Sequence, residues 1–172
     1  MTLVNEATQD NLKAAFAGES QANRMYTAFA KKAEAEGWHQ VARLFRAAAA
    51  AETVHALAHF RVMGGVKTTA ENLAAAIAGE GHEFKQMYPG FIAAAETEGN
   101  RAALNSFKNA AVVEETHYNM YSLALQAVQG GKDLPGSNIY VCEVCGHTHS
   151  GDEAPETCPV CGAKRNRFFN VD

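Results

Sequence analysis

Two Glu-x-x-His pairs are the first feature of this sequence that could do chemistry. They read ETVH at residues 52–55 and EETH at residues 114–117. Because residues three apart share one face of an α-helix, each pair would place a carboxylate beside an imidazole. Both pairs lie in alanine-rich apolar segments, where desolvating an isolated charge costs on the order of several kcal/mol. Bound cations would neutralise these groups, so the pairs indicate a candidate metal site.

The cysteines form a second candidate metal site near the end of the sequence. They follow the spacing C-x2-C-x12-C-x2-C, at Cys142, Cys145, Cys158 and Cys161. In a cytosolic protein such thiols indicate metal binding rather than disulfides. Four sulfur ligands suit zinc or a single iron ion in tetrahedral geometry. The segment is too short for a large core, so we expect the metal to supply much of its stability.

Long helices must position the acids and histidines. The composition of residues 8–130 predicts four helices of roughly 25–30 residues. Their breaks are expected in the glycine-containing segments 36–38, 64–68, 97–100 and 130–137. The residues predicted to cap these helices are Gly37, Gly64 and Gly99 at C-termini, Thr68 with Glu71 as a capping box, and Asn100 at the start of the fourth helix.

The helical region contains an internal repeat. FAGE at 16–19 matches IAGE at 77–80, and MYTAFAKKAEAEG at 25–37 matches MYPGFIAAAETEG at 87–99. The offset between the halves changes from 61 to 62 residues, so the second half has one extra residue between Glu80 and Met87. An inserted residue within a helix is usually accommodated by a single-turn π-bulge, which often occurs at a functional site. We therefore predict a π-bulge next to Glu83 and Pro89.

Each predicted helix has an acid in the middle of its apolar stripe, which in the second helix includes Val41 and Val62. These acids are Glu19, Glu52, Glu80 and Glu114, and Glu83 adds a fifth negative charge. A Glu from each of two helices and a Glu-x-x-His from each of the other two is the ligand pattern of di-iron and di-manganese bundles. Carboxylate and imidazole ligands with open positions suit iron that changes oxidation state.

Other polar residues near these stripes have simpler interpretations. His59 is expected in the core or beside the ligands, whereas His39 and His82 are expected on the surface. Tyr26 and Tyr88 lie about two turns from Glu19 and Glu80, where they would either donate hydrogen bonds to ligand carboxylates or pack in the core.

Overall composition excludes several classes of function. The chain has 172 residues, 47% of them hydrophobic, and a net charge of −4, which provides no broad basic surface for nucleic acid or anionic lipid. The N-terminal sequence lacks the pattern of a signal peptide, and no apolar stretch approaches the roughly 20 residues that span a bilayer. We expect a cytoplasmic protein.

Taken together, the motifs resemble those of the rubrerythrins. The resemblance rests on GESQANRMY (18–26), ETVHA (52–56), GEGHEFKQMYPGF (79–91), VEETH (113–117) and the rubredoxin-like CEVCG and CPVCG. It implies an all-α, ferritin-like four-helix bundle in residues 1–134. It also implies a small, metal-stabilised rubredoxin-like β-module in residues 135–172.

The resemblance also implies ligands and an activity. The implied di-iron ligands are Glu19, Glu52, Glu80, Glu83, Glu114, His117 and, in one redox state, His55. His55 would bind in the diferrous form and Glu83 in the diferric form. Cys142, Cys145, Cys158 and Cys161 would hold an FeS4 centre, although zinc is an alternative there.

The implied reaction is reduction of hydrogen peroxide to water, which protects cells against oxidative stress. Glu52, Glu83 and His55 are the residues expected to take part in it, with Glu52 or Glu83 moving protons. Electrons would come from rubredoxin or an NAD(P)H-dependent reductase, because the sequence has no nucleotide-binding glycine pattern.

The connection between helices two and three constrains the assembly. Ferritin-like bundles run these helices parallel, joined by a long crossover, but Gly64–Thr68 spans at most about 18 Å. That is too short to return along a helix of about 40 Å. The helices therefore either run up-down-up-down or exchange between two chains. We favour a domain-swapped homodimer, in which Glu19, Glu52 and His55 come from one chain and the remaining ligands from the other.

Two other functions remain open at this point. A ferritin-like protein that oxidises or stores iron would explain the helical acids, but not the attached thiolate centre. A zinc knuckle on a helical interaction scaffold would explain the cysteines, but not five acids in the middle of apolar stripes.

Overall fold

The computed structural model describes residues 6–171, which form helices followed by a small sheet. The helices are α1 (Glu6–Ala35), α2 (His39–Val62), α3 (Thr69–His82), α4 (Tyr88–Thr97) and α5 (Arg101–Gln129). A π-helical turn, Glu83–Met87, joins α3 to α4, so these three segments form one interrupted helix. The predicted fold class, four helices with a small β-module, is confirmed.

The limits of the described region affect two predictions. The absence of a signal peptide and the outer bounds of both predicted domains depend in part on residues 1–5 and 172, which lie outside it. Within residues 6–171, no helix combines the length and apolar character needed to cross a bilayer.

The caps predicted from the sequence are present. The three glycines that follow helices have positive φ values, of 85° at Gly37, 71° at Gly64 and 70° at Gly99. The Thr68 side chain accepts a hydrogen bond from the Glu71 N–H, and the Glu71 carboxylate accepts one from the Thr68 N–H. The Asn100 side chain accepts a hydrogen bond of 3.1 Å from the Ala103 N–H. Because these groups satisfy otherwise unpaired terminal donors, they fix where the helices begin and end.

The predicted π-bulge is also confirmed. The Tyr88 N–H donates to the carbonyl of Glu83, five residues earlier, as expected for a widened turn. Pro89 lies in the first turn of α4, directly after this widened turn, where the helical hydrogen-bond pattern is already interrupted. The extra residue of the second repeat is therefore absorbed in a turn that begins at Glu83, three residues after the predicted ligand Glu80.

The chain divides into two compact units, the first of which ends at Lys67 and is the α1–α2 hairpin. Its buried positions are mostly small, which allows the helices to approach closely; they are Asn23, Ala30, Ala33, Ala42, Ala49 and Ala56. Val41 and Val62 were expected in the core, but they are 44% and 69% exposed. In the single chain, α2 instead packs its alanine face against α1, which leaves these valines exposed.

The second unit begins at Thr68 and contains α3, the π-turn, α4, α5 and the sheet. It repeats an aromatic cluster of the first unit. Ring centroids are 6.2 Å apart in both Tyr26–Phe45 and Tyr88–Phe107. They are 5.5 Å apart in both Phe29–Phe45 and Phe91–Phe107. The matching distances support the duplicated hairpin inferred from the sequence. The predicted boundary between residues 134 and 135 stays a prediction.

The β-module, residues 138–171, is a three-stranded antiparallel sheet with two cysteine loops. Its strands are β1 (Asn138–Cys142), β2 (Thr148–Gly151) and β3 (Phe168–Val171), in the order β2-β1-β3. The buried residues of the module are Cys142, His147, Ala154 and Cys158. Because two of these four are predicted metal ligands, little apolar burial is left to stabilise the module without a metal.

Candidate metal centres

The four cysteines converge in the β-module. The Sγ atoms of Cys142 and Cys161 are 3.7 Å apart, and those of Cys145 and Cys158 are 3.6 Å apart. A metal–sulfur bond of about 2.3 Å gives a tetrahedral edge of about 3.8 Å, which these separations match. They are far longer than a disulfide bond of about 2.05 Å. The cysteines therefore fit a single tetrahedral zinc or iron ion.

Backbone N–H groups in the cysteine loops favour thiolates. Burial raises the pKa of Cys145, which the backbone hydrogen bond from His147 opposes. Burial acts in the same direction on Cys158, but N–H donors of Cys161 and Val160 bring its pKa below the usual value. A cation would balance the buried negative charge that these donors stabilise.

The first acid–histidine cluster is Glu19, Glu52 and His55, in the α1–α2 hairpin. One ligand atom from each lies within 4.8 Å of the others. His55 Nδ1 is 2.8 Å from Glu52 Oε2, and the His55 side chain is 54% exposed. The cluster offers two carboxylates and one imidazole to a cation.

Asn23 holds this cluster in register, because it lies one turn after Glu19 and bonds to α2. Its Nδ2 donates to the Ala49 carbonyl at 2.6 Å and to Thr53 Oγ1 at 2.8 Å. Asn23 is buried, and a buried amide without partners would be costly. Since Thr53 follows Glu52 directly, this polar cross-link keeps the two acids facing each other.

The second acid–histidine cluster is Glu80, Glu114 and His117, in the second unit. One ligand atom from each also lies within 4.8 Å of the others. His117 Nδ1 is 2.9 Å from Glu114 Oε2 and 3.7 Å from Glu80 Oε1. Burial, together with the negative charges of Glu114 and Glu83, raises the pKa of Glu80 to about 7. Such mutual repulsion is relieved when a cation binds between the carboxylates.

Glu83 and Tyr88 lie near the second cluster without belonging to it. The charge of Glu83 contributes to the raised pKa of Glu80. Burial first, and then the charges of Glu114, Glu83 and Glu80, raise the pKa of Tyr88. Tyr88 and its repeat counterpart Tyr26 pack in the aromatic clusters. Within residues 6–171, neither tyrosine hydroxyl bonds to a carboxylate of the two clusters.

Two other histidines of the helical region lie on the surface, as the sequence suggested. His39 and His82 are exposed and contact Glu34 and Gln86, respectively. His59 is half-buried and belongs to neither cluster.

Two residues of the β-module contact predicted metal ligands and were missed in the sequence. The His147 N–H bonds to Cys145, and Thr148 Oγ1 is 2.9 Å from His117 Nε2. In the sequence these residues were only part of the spacer between the two cysteine pairs. No pattern of spacing identifies a contact between β2 and α5, because it arises from tertiary packing.

Two family models match the two parts of this chain. A model of the family Rubrerythrin matches residues 10–125, and one of the rubrerythrin rubredoxin-like domain matches residues 140–169. The chain is 34% identical to Rubrerythrin-2 of Clostridium acetobutylicum, over 98% of each chain. It is 36% identical to rubrerythrin of Porphyromonas gingivalis, over 94% of this chain and 88% of that one.

A solved structure is similar as well. That of fully reduced, all-ferrous nigerythrin aligns with a TM-score of 0.57 and 34% identity, over 99% of this chain and 89% of the nigerythrin chain.

Proposed function

Because the chain belongs to the rubrerythrin family, we propose that this iron-dependent oxidoreductase reduces hydrogen peroxide to water at a pair of carboxylate-bound iron ions. The observation that supports this most is the combination of two repeat-related acid–histidine clusters with four cysteines whose spacing fits a single tetrahedral metal ion. The proposed domains are the di-iron domain, residues 1–134, and the rubredoxin-like domain, residues 135–172.

The two acid–histidine clusters together would hold the iron pair. Each cluster alone offers three ligands, which leaves a two-metal site incomplete. The proposed ligands are Glu19, Glu52 and His55 from the first unit, and Glu80, Glu83, Glu114 and His117 from the second. Cys142, Cys145, Cys158 and Cys161 would hold a third iron ion.

Bound in this way, a ferrous pair supplies the two electrons needed to cleave the O–O bond, and two protons complete the conversion of peroxide to two water molecules. Glu52 and Glu83 would deliver these protons. This role for Glu83 is supported by two observations: its charge raises the pKa of Glu80, and it lies outside the three-residue cluster.

We propose that His55, rather than His117, is the ligand exchanged for Glu83 on oxidation. Within residues 6–171, His55 bonds only to Glu52, through Nδ1, whereas His117 is held at both ring nitrogens, by Glu114 and by Thr148. A ligand held by fewer contacts is easier to displace.

Electrons would enter through the β-module from a rubredoxin or an NAD(P)H-dependent reductase. Val144, within the first cysteine loop, is 54% exposed, and Cys145 and Cys161 are partly exposed. An apolar contact surface beside an exposed thiolate centre suits a transient electron-transfer partner. Free thiols also agree with a reducing cytoplasm.

A second copy of the chain would complete each iron site. Only Met63–Thr68 connect α2 to α3; six residues span at most about 22 Å, whereas α2 is about 36 Å long. Exposed apolar side chains on the α1–α2 hairpin include Leu44 at 69% and Val54 at 62%. Such surfaces usually mark a protein interface, and a swapped homodimer would cover them.

Peroxide titration of fully ferrous protein tests the proposal. We expect one equivalent of peroxide to oxidise each iron pair, with sustained consumption once a reductase system is added. Zinc-loaded protein is the control and should consume none. A ferritin-like iron store would instead take up iron well beyond the proposed sites. Failure of iron-replete ferrous protein to consume peroxide would rule out the peroxidase.

A further inference from the structure

The β-module contacts a predicted iron ligand of its own chain through one side chain. His117 Nε2 and Thr148 Oγ1 are 2.9 Å apart, and Thr148 Oγ1 is 3.3 Å from the Gly146 carbonyl, to which it donates. The threonine hydroxyl has a single proton. Because that proton is directed to Gly146, the oxygen accepts the His117 Nε2–H.

This hydrogen bond determines which nitrogen of His117 is available to a metal. With Nε2 protonated and bonded to Thr148, Nδ1 faces Glu114 and Glu80 at 2.9 and 3.7 Å. A partner on the outer nitrogen orients a ligating imidazole and raises its basicity. In the first cluster, His55 also directs Nδ1 to its glutamate, but no bond to His55 Nε2 occurs within residues 6–171.

The same segment continues directly to the four-cysteine site. The backbone N–H of His147, the residue before Thr148, donates to Cys145. The His147 carbonyl in turn accepts from the Cys142 N–H at 2.9 Å, and His147 is only 9% exposed. Two cysteine ligands therefore hold this peptide rigidly at one end, and His117 holds it at the other.

We propose that His147 and Thr148 form the route by which electrons pass from the four-cysteine site to the iron pair bound by His117 of the same chain. The route has two hydrogen bonds joined by the short covalent path from the His147 nitrogen to Thr148 Oγ1. In each transfer one electron leaves the thiolate-bound iron, which goes from ferrous to ferric, and one ferric ion of the pair becomes ferrous. Two transfers, with two protons, balance the reduction of one peroxide molecule. An external reductase restores the thiolate-bound iron.

The inference rests on the proposed function in one respect: both sites must contain iron. Its test needs no peroxide. Fully oxidised, iron-loaded protein is reduced by a flash-generated flavin radical, which reaches the four-cysteine site first because Cys145 and Cys161 are partly exposed. The reduced FeS4 centre then passes its electron to the iron pair and becomes ferric again. The rate at which its visible absorption returns measures this transfer. Thr148→Val removes the hydrogen bond to His117 and should slow this return by about 10- to 100-fold. Removing the hydrogen-bond partner of a metal-binding histidine commonly has an effect of this size on activity.

Two variants control this measurement. Thr148→Ser keeps the hydroxyl and should transfer at close to the wild-type rate. Thr157→Val removes another hydroxyl of the β-module, which contacts exposed Lys164 at 3.4 Å, and should have no effect. Valine is preferred to alanine at position 148 because a cavity of about 330 Å³ lies beside this hydrogen bond and could admit a bridging water.

A second readout does not depend on electron transfer. In zinc-loaded protein, the His117 Nε2–H should give a slowly exchanging NMR signal that Thr148→Val abolishes and Thr148→Ser retains. The proposal is overturned if Thr148→Val transfers electrons at the wild-type rate, or if that NMR signal is unchanged in the variant. Absence of peroxide consumption would refute the proposed function instead, and would leave both readouts interpretable.

Discussion

Replacing Cys158 with alanine should unfold the β-module and leave the α1–α2 hairpin intact. Of the buried residues in the module, only Ala154 is an apolar side chain that is not a predicted ligand. Burial of one methyl group contributes only roughly 1 kcal/mol. The metal must therefore supply most of the free energy that keeps the module folded.

Hydrogen exchange of the full-length, metal-loaded protein measures this effect. In Cys158→Ala we expect amides of residues 138–171 to lose protection by at least about a hundredfold, which corresponds to about 2.8 kcal/mol. The α1–α2 hairpin, a separate compact unit, serves as the internal reference. The matched control is Glu153→Gln, which breaks an exposed ion pair with Arg165 at 2.7 Å and should change stability by less than about 0.5 kcal/mol. Unchanged protection of the β-module in Cys158→Ala would refute the reasoning.

Three further predictions concern the helical sites. Asn23→Leu removes both hydrogen bonds from α1 to α2 and should lower the free energy of unfolding in urea by roughly 1–3 kcal/mol; no change would contradict its role as a cross-link. With its pKa raised to about 7, Glu80 stabilises the metal-free protein fully below pH about 4.5 and loses this contribution as the pH rises through about 7. Thermal unfolding of metal-free protein should show this decline, and Glu80→Gln should flatten it. Co-refolded Glu52→Ala and Glu114→Ala chains should regain about a quarter of wild-type peroxidase activity through one intact site per swapped heterodimer, whereas complete inactivity would argue against swapping.

Local features of this protein could be predicted from the sequence because they depend on short-range geometry. Helical periodicity places Glu114 beside His117, and the glycine and Thr68 caps follow from backbone requirements at helix ends. The π-turn could be predicted because a repeat of constant length makes a single inserted residue visible. In the cysteine loops, likewise, the spacing alone indicated a tetrahedral site.

Features that depend on packing could not be predicted in this way. The exposure of Val41 arises because the hairpin buries the alanine face of α2, and an apolar stripe does not reveal which face meets a neighbour. The bond between His117 and Thr148 joins residues 31 positions apart. It depends on how β2 packs against α5, which no spacing rule contains.

Anomalous diffraction at the iron absorption edge, from crystals of the iron-loaded protein, tests the central claim most directly. We expect two iron peaks about 3.5–4 Å apart, both lying between the cluster of Glu19, Glu52 and His55 and the cluster of Glu80, Glu114 and His117. A third iron peak should lie among the four cysteines. Iron bound singly at separate clusters, or no iron at the carboxylates, would contradict it.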